Sequence, residues 1–164
     1  ITLSGGPGTG TSKGGNVVLQ TSPSIATGTT AQTLYNRYIV VAKGTVLTDA
    51  VATTVATLSL ANGSAGGGTI RATIQVSDGT DFQSMTQYVE YSIVNKAGTF
   101  TSNIVSTSGS KAVSAGTLTT VWTITAAGAI QLNADTSLVP GATLNGFVVY
   151  YVIENNSQTS VTLP

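Results

Sequence analysis

The chain has 164 residues, of which 41% are hydrophobic and only 7% are charged, and its net charge is zero. This length suffices for one domain with a buried core, and the apolar content is too high for an intrinsically disordered chain. The six basic residues are scattered singly, which excludes a nucleic-acid-binding stripe, and no apolar run approaches the roughly 18 residues that cross a bilayer.

Residues 1–33 are rich in glycine, threonine and serine and contain one short apolar stretch, residues 16–20. Such a segment cannot build its own core, so it is predicted to be a stem that packs against neighbouring chains, with Val17 and Leu19 at the subunit interface. The alternative is a flexible linker. The chain begins at Ile1 rather than Met, which predicts a processed chain or a piece of a longer one.

From residue 34 onward the pattern predicts strand after strand. Residues 69–77 alternate apolar and polar side chains, with Ile70, Ala72, Ile74 and Val76 facing inward. Further strands are predicted at 35–41, 51–60, 82–94, 100–104, 118–125, 130–134 and 144–153, with Trp122 in the core. Loops or turns are predicted at 62–68, 78–81, 95–98 and 107–116, and one turn of helix is an alternative within 46–56.

About eight strands at this spacing are typical of an all-β fold, an antiparallel β-sandwich that is jelly-roll-like. The predicted division is a stem at 1–33 and a sandwich head at 34–164. Within the head, residues 147–153 are apolar or aromatic at every position. They form a strand covered on both faces, a core strand with tyrosines reaching water, or a strand whose outer face meets a second subunit.

In the last case Val148, Tyr150 and Val152 lie at the subunit interface, because they share one face of the strand. Together with Val17 and Leu19 they are the predicted interface residues.

Histidine and cysteine are both absent. The chain therefore lacks the usual proton-transfer residue, any thiolate, and a base of the usual kind for a serine nucleophile, so we expect a non-enzyme without a cofactor. Asp78 and Asp81 share one predicted turn, where aspartate commonly bonds the local backbone. A calcium site at these two carboxylates and a catalytic pair are the alternatives.

Three loops are candidate binding surfaces at strand ends: residues 62–68 with Asn62 and Ser64, residues 78–81 with Asp78 and Asp81, and residues 107–116. Tyr88 is predicted to be exposed, and a pocket of Tyr88, Gln87 and Glu90 is a hypothetical glycan site.

Residues 5–20 resemble the Gly/Thr-rich stem repeats of bacteriophage fibres. Residues 67–83, 94–98 and 113–119 resemble the distal β-domain of such fibre or tail proteins. The resemblance implies a homotrimeric virion appendage, in which a thin stem bears a globular head that recognises a host-surface glycan or protein, or decorates a capsid with other virion proteins. It transfers no functional residue.

Two other functions remain open. One is a cell-surface adhesin or filament-forming subunit that assembles by β-strand exchange. The other is a secreted carbohydrate-binding or hydrolytic module. A closed trimer would favour the virion protein, an open polymer the filament subunit, and a glycan-binding monomer the secreted module.

Overall fold

The computed structural model describes residues 15–21, 35–41, 44–155 and 159–164. None of these residues is helical, and they form eleven β-strands. The strands are β1 (Val17–Thr21), β2 (Tyr35–Val40), β3 (Thr45–Thr48), β4 (Ala52–Ser59), β5 (Ser64–Ser77), β6 (Phe82–Lys96), β7 (Thr99–Val113), β8 (Leu118–Ile124), β9 (Ala129–Thr136), β10 (Thr143–Asn155) and β11 (Ser160–Thr162).

The strands form two antiparallel sheets, which confirms the prediction of an all-β sandwich. The larger sheet has the order β1-β2-β10-β5-β6-β7, and β3 also pairs with β10. The smaller sheet has the order β11-β4-β9-β8. In the larger sheet β10 is central, because β5 takes one of its edges while β2 and β3 share the other.

The core lies between the two sheets and comes from the inward positions of alternating strands. Along β6 every odd-numbered residue from Gln83 to Asn95 is buried, as a period of two requires. Trp122 is 5% exposed, which places it in the core as predicted. The largest fully buried side chains are Ile39, Leu47, Val55, Leu58, Ile70, Ile74, Ile93, Leu118, Ile130, Leu132, Phe147 and Ile153.

The prediction of a loop at 62–68 is wrong beyond residue 63. β5 begins at Ser64, and its three glycines, residues 66–68, pair with Ile93, Ser92 and Tyr91 of β6. A Cβ on Gly68 would collide with the Glu154 carbonyl oxygen and lie 2.7 Å from the Tyr91 hydroxyl. Glycine is therefore required here by close packing inside a sheet, which composition alone does not distinguish from a loop.

Parts of three other predicted elements are also wrong. Residues 107–113 are not a loop, because β7 continues to Val113 and pairs with β6 along its whole length; Asn95 and Lys96 likewise belong to β6. Residues 46–56 contain no helical turn, since they form β3, a turn and part of β4. In each case, pairing with a neighbouring strand determines the secondary structure of a segment whose own sequence is ambiguous.

The predicted stem is described only at residues 15–21. There β1 pairs with β2 and so forms the edge of the larger sheet. The rest of the segment lies outside the described residues, and a stem there stays a prediction.

Buried polar groups join the two sheets at one end of the sandwich. Asp49 is 6% exposed, and its two carboxylate oxygens accept hydrogen bonds of 2.7 Å from the backbone N–H groups of Thr136 and Gly141. The hydroxyl of Thr136 donates to Gln83 Oε1 at 2.7 Å. Gln83 Nε2 in turn donates to the carbonyl of Ala115. The side chains of Asp49, Gln83 and Thr136 need these partners, because all three residues are buried and water cannot substitute.

We expect Asp49→Ala to lower the free energy of unfolding by about 1–3 kcal/mol, because it leaves the buried N–H of Thr136 without an acceptor. The matched control is Asp135→Ala, which removes an exposed aspartate of β9 and should change stability by no more than about 0.5 kcal/mol. Denaturant titration of both variants measures the difference. Equal losses would contradict the role assigned to Asp49.

Candidate interaction surface

The outer face of the larger sheet, which points away from the core, bears the candidate site. Strand pairing places its side chains in rows across the sheet. One row is Val152, Arg71 and Tyr88, and the next begins with Tyr38 and Glu154. No described strand covers this face, so these side chains form one continuous surface.

One end of the face is a polar patch, consisting of Tyr38, Thr69, Arg71, Tyr88 and Glu154. These residues line a shallow depression of about 230 Å³. The Arg71 guanidinium lies 5.6 Å from the centre of the Tyr88 ring, a cation–π geometry. The Thr69 hydroxyl donates to Glu154 Oε2 at 3.4 Å. The patch thus combines aromatic surface with a cation, a carboxylate and a hydroxyl.

The other end of the face is an apolar groove of about 660 Å³. It is defined here by Phe82, Val113, Gly146, Val148 and Tyr150, which stand among its lining residues. Phe82 is 61% exposed and Tyr150 is 44% exposed. None of the lining residues is charged.

The wall of the groove is held by backbone hydrogen bonds at the end of β6. The Ser114 N–H donates to the Phe82 carbonyl at 2.9 Å, and the Phe82 N–H donates to the Ser114 hydroxyl oxygen at 2.9 Å. Because Ser114 bonds both the N–H and the carbonyl of Phe82, the strand end that bears the exposed ring is fixed in position.

The structure places the predicted interface residues on two surfaces. Val148, Tyr150 and Val152 follow one another on the outer face of β10, where Val148 is 8% exposed and Tyr150 is largely open. Val17 and Leu19 lie on β1, whose contacts are almost entirely with β2. Whether a second subunit covers these residues stays a prediction.

The predicted binding loops do not form one site. Asn62 and Ser64 lie at the start of β5, where Asn62 Oδ1 accepts the Ala97 N–H at 2.6 Å. Asp78 and Asp81 lie beyond its other end. The 14 residues of β5 separate the two loops by roughly 45 Å at about 3.3 Å per residue.

Asp78 and Asp81 occupy a hydrogen-bonded turn. Asp78 Oδ1 accepts the N–H groups of Asp81 at 2.7 Å and Thr80 at 2.8 Å, and Asp81 Oδ1 accepts the Ser114 hydroxyl at 2.7 Å. These contacts account for both carboxylates, and the described residues contain no cluster of three metal-ligating side chains of the His, Cys, Asp or Glu type. A calcium ion at this turn stays a prediction.

The hypothetical pocket of Tyr88, Gln87 and Glu90 is wrong in one member. Tyr88 and Glu90 lie on the outer face, and Tyr88 is 51% exposed. Gln87 points into the core, where its Oε1 accepts the Trp122 indole N–H at 2.9 Å and its Nε2 donates to Thr120. Neighbouring residues of a strand face opposite sides, so Gln87 cannot join a site built on Tyr88.

Two parts of the surface were not predicted from the sequence. The pairing of Arg71 with Tyr88 depends on the register between β5 and β6. The exposure of Phe82 depends on where β6 begins. The alternation of residues 69–77 predicted that Arg71 faces outward, but it did not predict that Tyr88 lies beside it on the adjacent strand.

Residues 15–21, 35–41, 44–155 and 159–164 include no helix long and apolar enough to span a membrane.

No protein-family model and no curated protein sequence matches the chain. Among solved structures, the crystal structure of the tailspike protein of an Acinetobacter phage aligns with 87% of this chain at 16% sequence identity and a TM-score of 0.39. The chain spans 25% of the length of that tailspike chain. A likeness of this extent transfers neither function nor assembly.

The turn at residues 78–81 gives a prediction on pH. Backbone hydrogen bonds from Asp81 and then Thr80 lower the pKa of Asp78 below its ordinary value of 3.8. The ionised carboxylate therefore stabilises the folded state above that value, and this contribution is lost as the pH falls through the lowered pKa. We expect Asp78→Ala to lower the melting temperature at neutral pH and to match the wild type in strong acid.

The control for this measurement is Asp135→Ala, because Asp135 is an exposed aspartate on a strand. A melting-temperature difference for Asp78→Ala that is the same at neutral and at strongly acidic pH would contradict the role of its charge.

Proposed function

We propose that this chain is a non-enzymatic structural subunit of a virion appendage, which assembles with copies of itself and attaches to a host surface. The observation that supports this function best is the open outer face of the larger sheet. It exposes Phe82, Tyr88 and Tyr150 on a chain with only six basic and six acidic residues. Continuous exposed apolar surface is typical of a protein that functions in contact with a partner.

Self-assembly is supported by the apolar groove and by β1. Both expose aliphatic or aromatic side chains: Phe82 and Tyr150 in the groove, and Val18 and Leu19 on β1. Covering them would stabilise an oligomer by roughly 25 cal/mol for each Å² of apolar surface removed from water. The resemblance of residues 5–20 to phage fibre stems makes a homotrimer the proposed state.

Attachment is assigned to the polar patch. Aromatic rings beside hydroxyl and charged groups suit a ligand with both apolar faces and hydroxyl groups, such as a host-surface glycan. The Arg71 guanidinium is held on Tyr88, and it forms no ion pair with any described carboxylate. Among the described residues, no carboxylate therefore competes with a ligand for its donors.

The proposed role includes no catalysis and no cofactor. The absence of histidine and cysteine supports this, since histidine is the usual proton-transfer residue near neutral pH, and thiolate and most transition-metal chemistry needs one of the two. The partners proposed are other copies of the chain, other virion proteins and a host-surface glycan or protein, and the place of action is the virion.

A filament-forming subunit is the second candidate, and β1 is the observation that favours it. β1 is a short edge strand without a charged residue. Edge strands that are not blunted by charge or proline are ready to pair with a strand from another copy.

Light scattering behind a sizing column tests the assembly. We expect a mass near three times 16.5 kDa for the purified chain. A distribution of larger masses that grows with concentration would favour the filament subunit instead. A monomer at micromolar concentration would overturn self-assembly, and the proposed function with it.

Substitutions at Tyr88 test the attachment role on an immobilised-glycan array, followed by titration of the strongest binder. We expect Tyr88→Ala to weaken binding about tenfold, because it removes an aromatic contact of roughly 1–1.5 kcal/mol. Tyr88→Phe keeps the ring and should retain most of the affinity.

The matched control on the same face is Val105→Ala, which alters a side chain that is 51% exposed and lies outside the polar patch. Equal affinity of Tyr88→Ala and Val105→Ala would remove the glycan assignment.

A further inference from the structure

One apolar surface that the described residues leave open is β1. Val18 is 41% exposed and Leu19 is 47% exposed, although they are neighbours and so face opposite sides of the strand. Among the described strands, β1 pairs with β2 alone and lies at the end of the larger sheet. Neither face of β1 is therefore covered by the smaller sheet.

The apolar groove is the second open surface, and its chemistry matches that of β1. The groove is lined without any charged residue, and β1 has the sequence Val-Val-Leu-Gln-Thr, also without charge. Docking one on the other would bury no ionised group, so the large desolvation cost of burying a charge does not oppose the contact. A volume of about 660 Å³ is that of a pocket which accepts several side chains.

These two surfaces cannot meet within one chain. Strand pairing puts Leu19 in the row of Tyr38 and Glu154. Phe82 lies eight residues along β6 from Glu90, which is in that same row. With four strand spacings of about 4.8 Å between β1 and β6 and about 3.4 Å per residue along them, the separation is roughly 30 Å.

We propose that β1 of one copy docks into the apolar groove of the next copy. The contact uses two different patches, so it is heterologous: it produces a ring, such as the proposed trimer, if the rotation closes, and a filament if it does not. This inference rests on the proposed self-assembly and specifies how it occurs. An isologous contact, β1 against β1 or groove against groove, is the competing arrangement.

Complementation between two variants separates these arrangements. Leu19→Asp damages β1 and leaves the groove intact, whereas Phe82→Asp damages the groove and leaves β1 intact. We expect each variant alone to have a mass of 16.5 kDa, and their equimolar mixture to form a one-to-one complex of twice that mass. The complex stops there, because its two remaining surfaces are both damaged.

The control is Val121→Asp, which places the same charge at a side chain that is 60% exposed on β8 of the smaller sheet. It should assemble like the wild type. Circular dichroism and thermal melting establish that each variant is folded before its mass is interpreted.

Disulfide trapping provides a second measurement that does not depend on introducing a charge, and the absence of native cysteine makes it specific. We expect an equimolar mixture of Leu19→Cys and Phe82→Cys chains to form mixed disulfide dimers on mild oxidation. A mixture of Leu19→Cys and Val121→Cys should not.

The outcomes distinguish this inference from the proposed function. A monomeric wild type overturns both. A wild-type oligomer overturns only the heterologous docking if the mixed variants remain monomeric, or if Leu19→Cys forms disulfides with itself rather than with Phe82→Cys.

Discussion

The face-to-face packing of two sheets of unequal size is the constraint on which the rest of this structure depends. The inward residues of the seven-stranded sheet and the four-stranded sheet fill one core, with Phe147 and Ile74 fully buried. That core fixes the register of the strands that contribute to it, because a slip of one residue would turn the buried set outward. The same alternation turns the other face of the larger sheet outward, and no described strand covers that face.

Hydrogen bonds at one end of the sandwich fix the strand end that bears the exposed Phe82. Gln83 bonds Thr136 and the chain at Ala115, while its neighbour Phe82 is bonded to Ser114. The core-facing Gln83 and the solvent-facing Phe82 are thus bonded to two consecutive residues, Ala115 and Ser114. The apolar groove is preformed for this reason, and a preformed surface loses less conformational entropy when it binds.

The outer face of the larger sheet carries two chemically different surfaces at different positions along its strands. At one end Arg71, stacked on Tyr88, offers charge and hydrogen bonds. At the other end Phe82 and Val148 offer only apolar surface. The proposed self-association and the proposed attachment would accordingly use opposite ends of one sheet.

The sequence by itself determined the strand content, the alternation of 69–77 and the buried position of Trp122, because a period of two is a local property that residues reveal without their partners. Only the tertiary structure decided that Gly68 lies inside a strand, that residues 107–113 pair with β6, and that Gln87 serves the Trp122 indole. Each of these depends on a segment that is distant in sequence. Gly68 packs against the Glu154 carbonyl, residues 107–113 pair with the edge of β6, and Gln87 bonds a side chain of the facing sheet. The interaction surface has the same origin, since Arg71 meets Tyr88 only through the register of two strands.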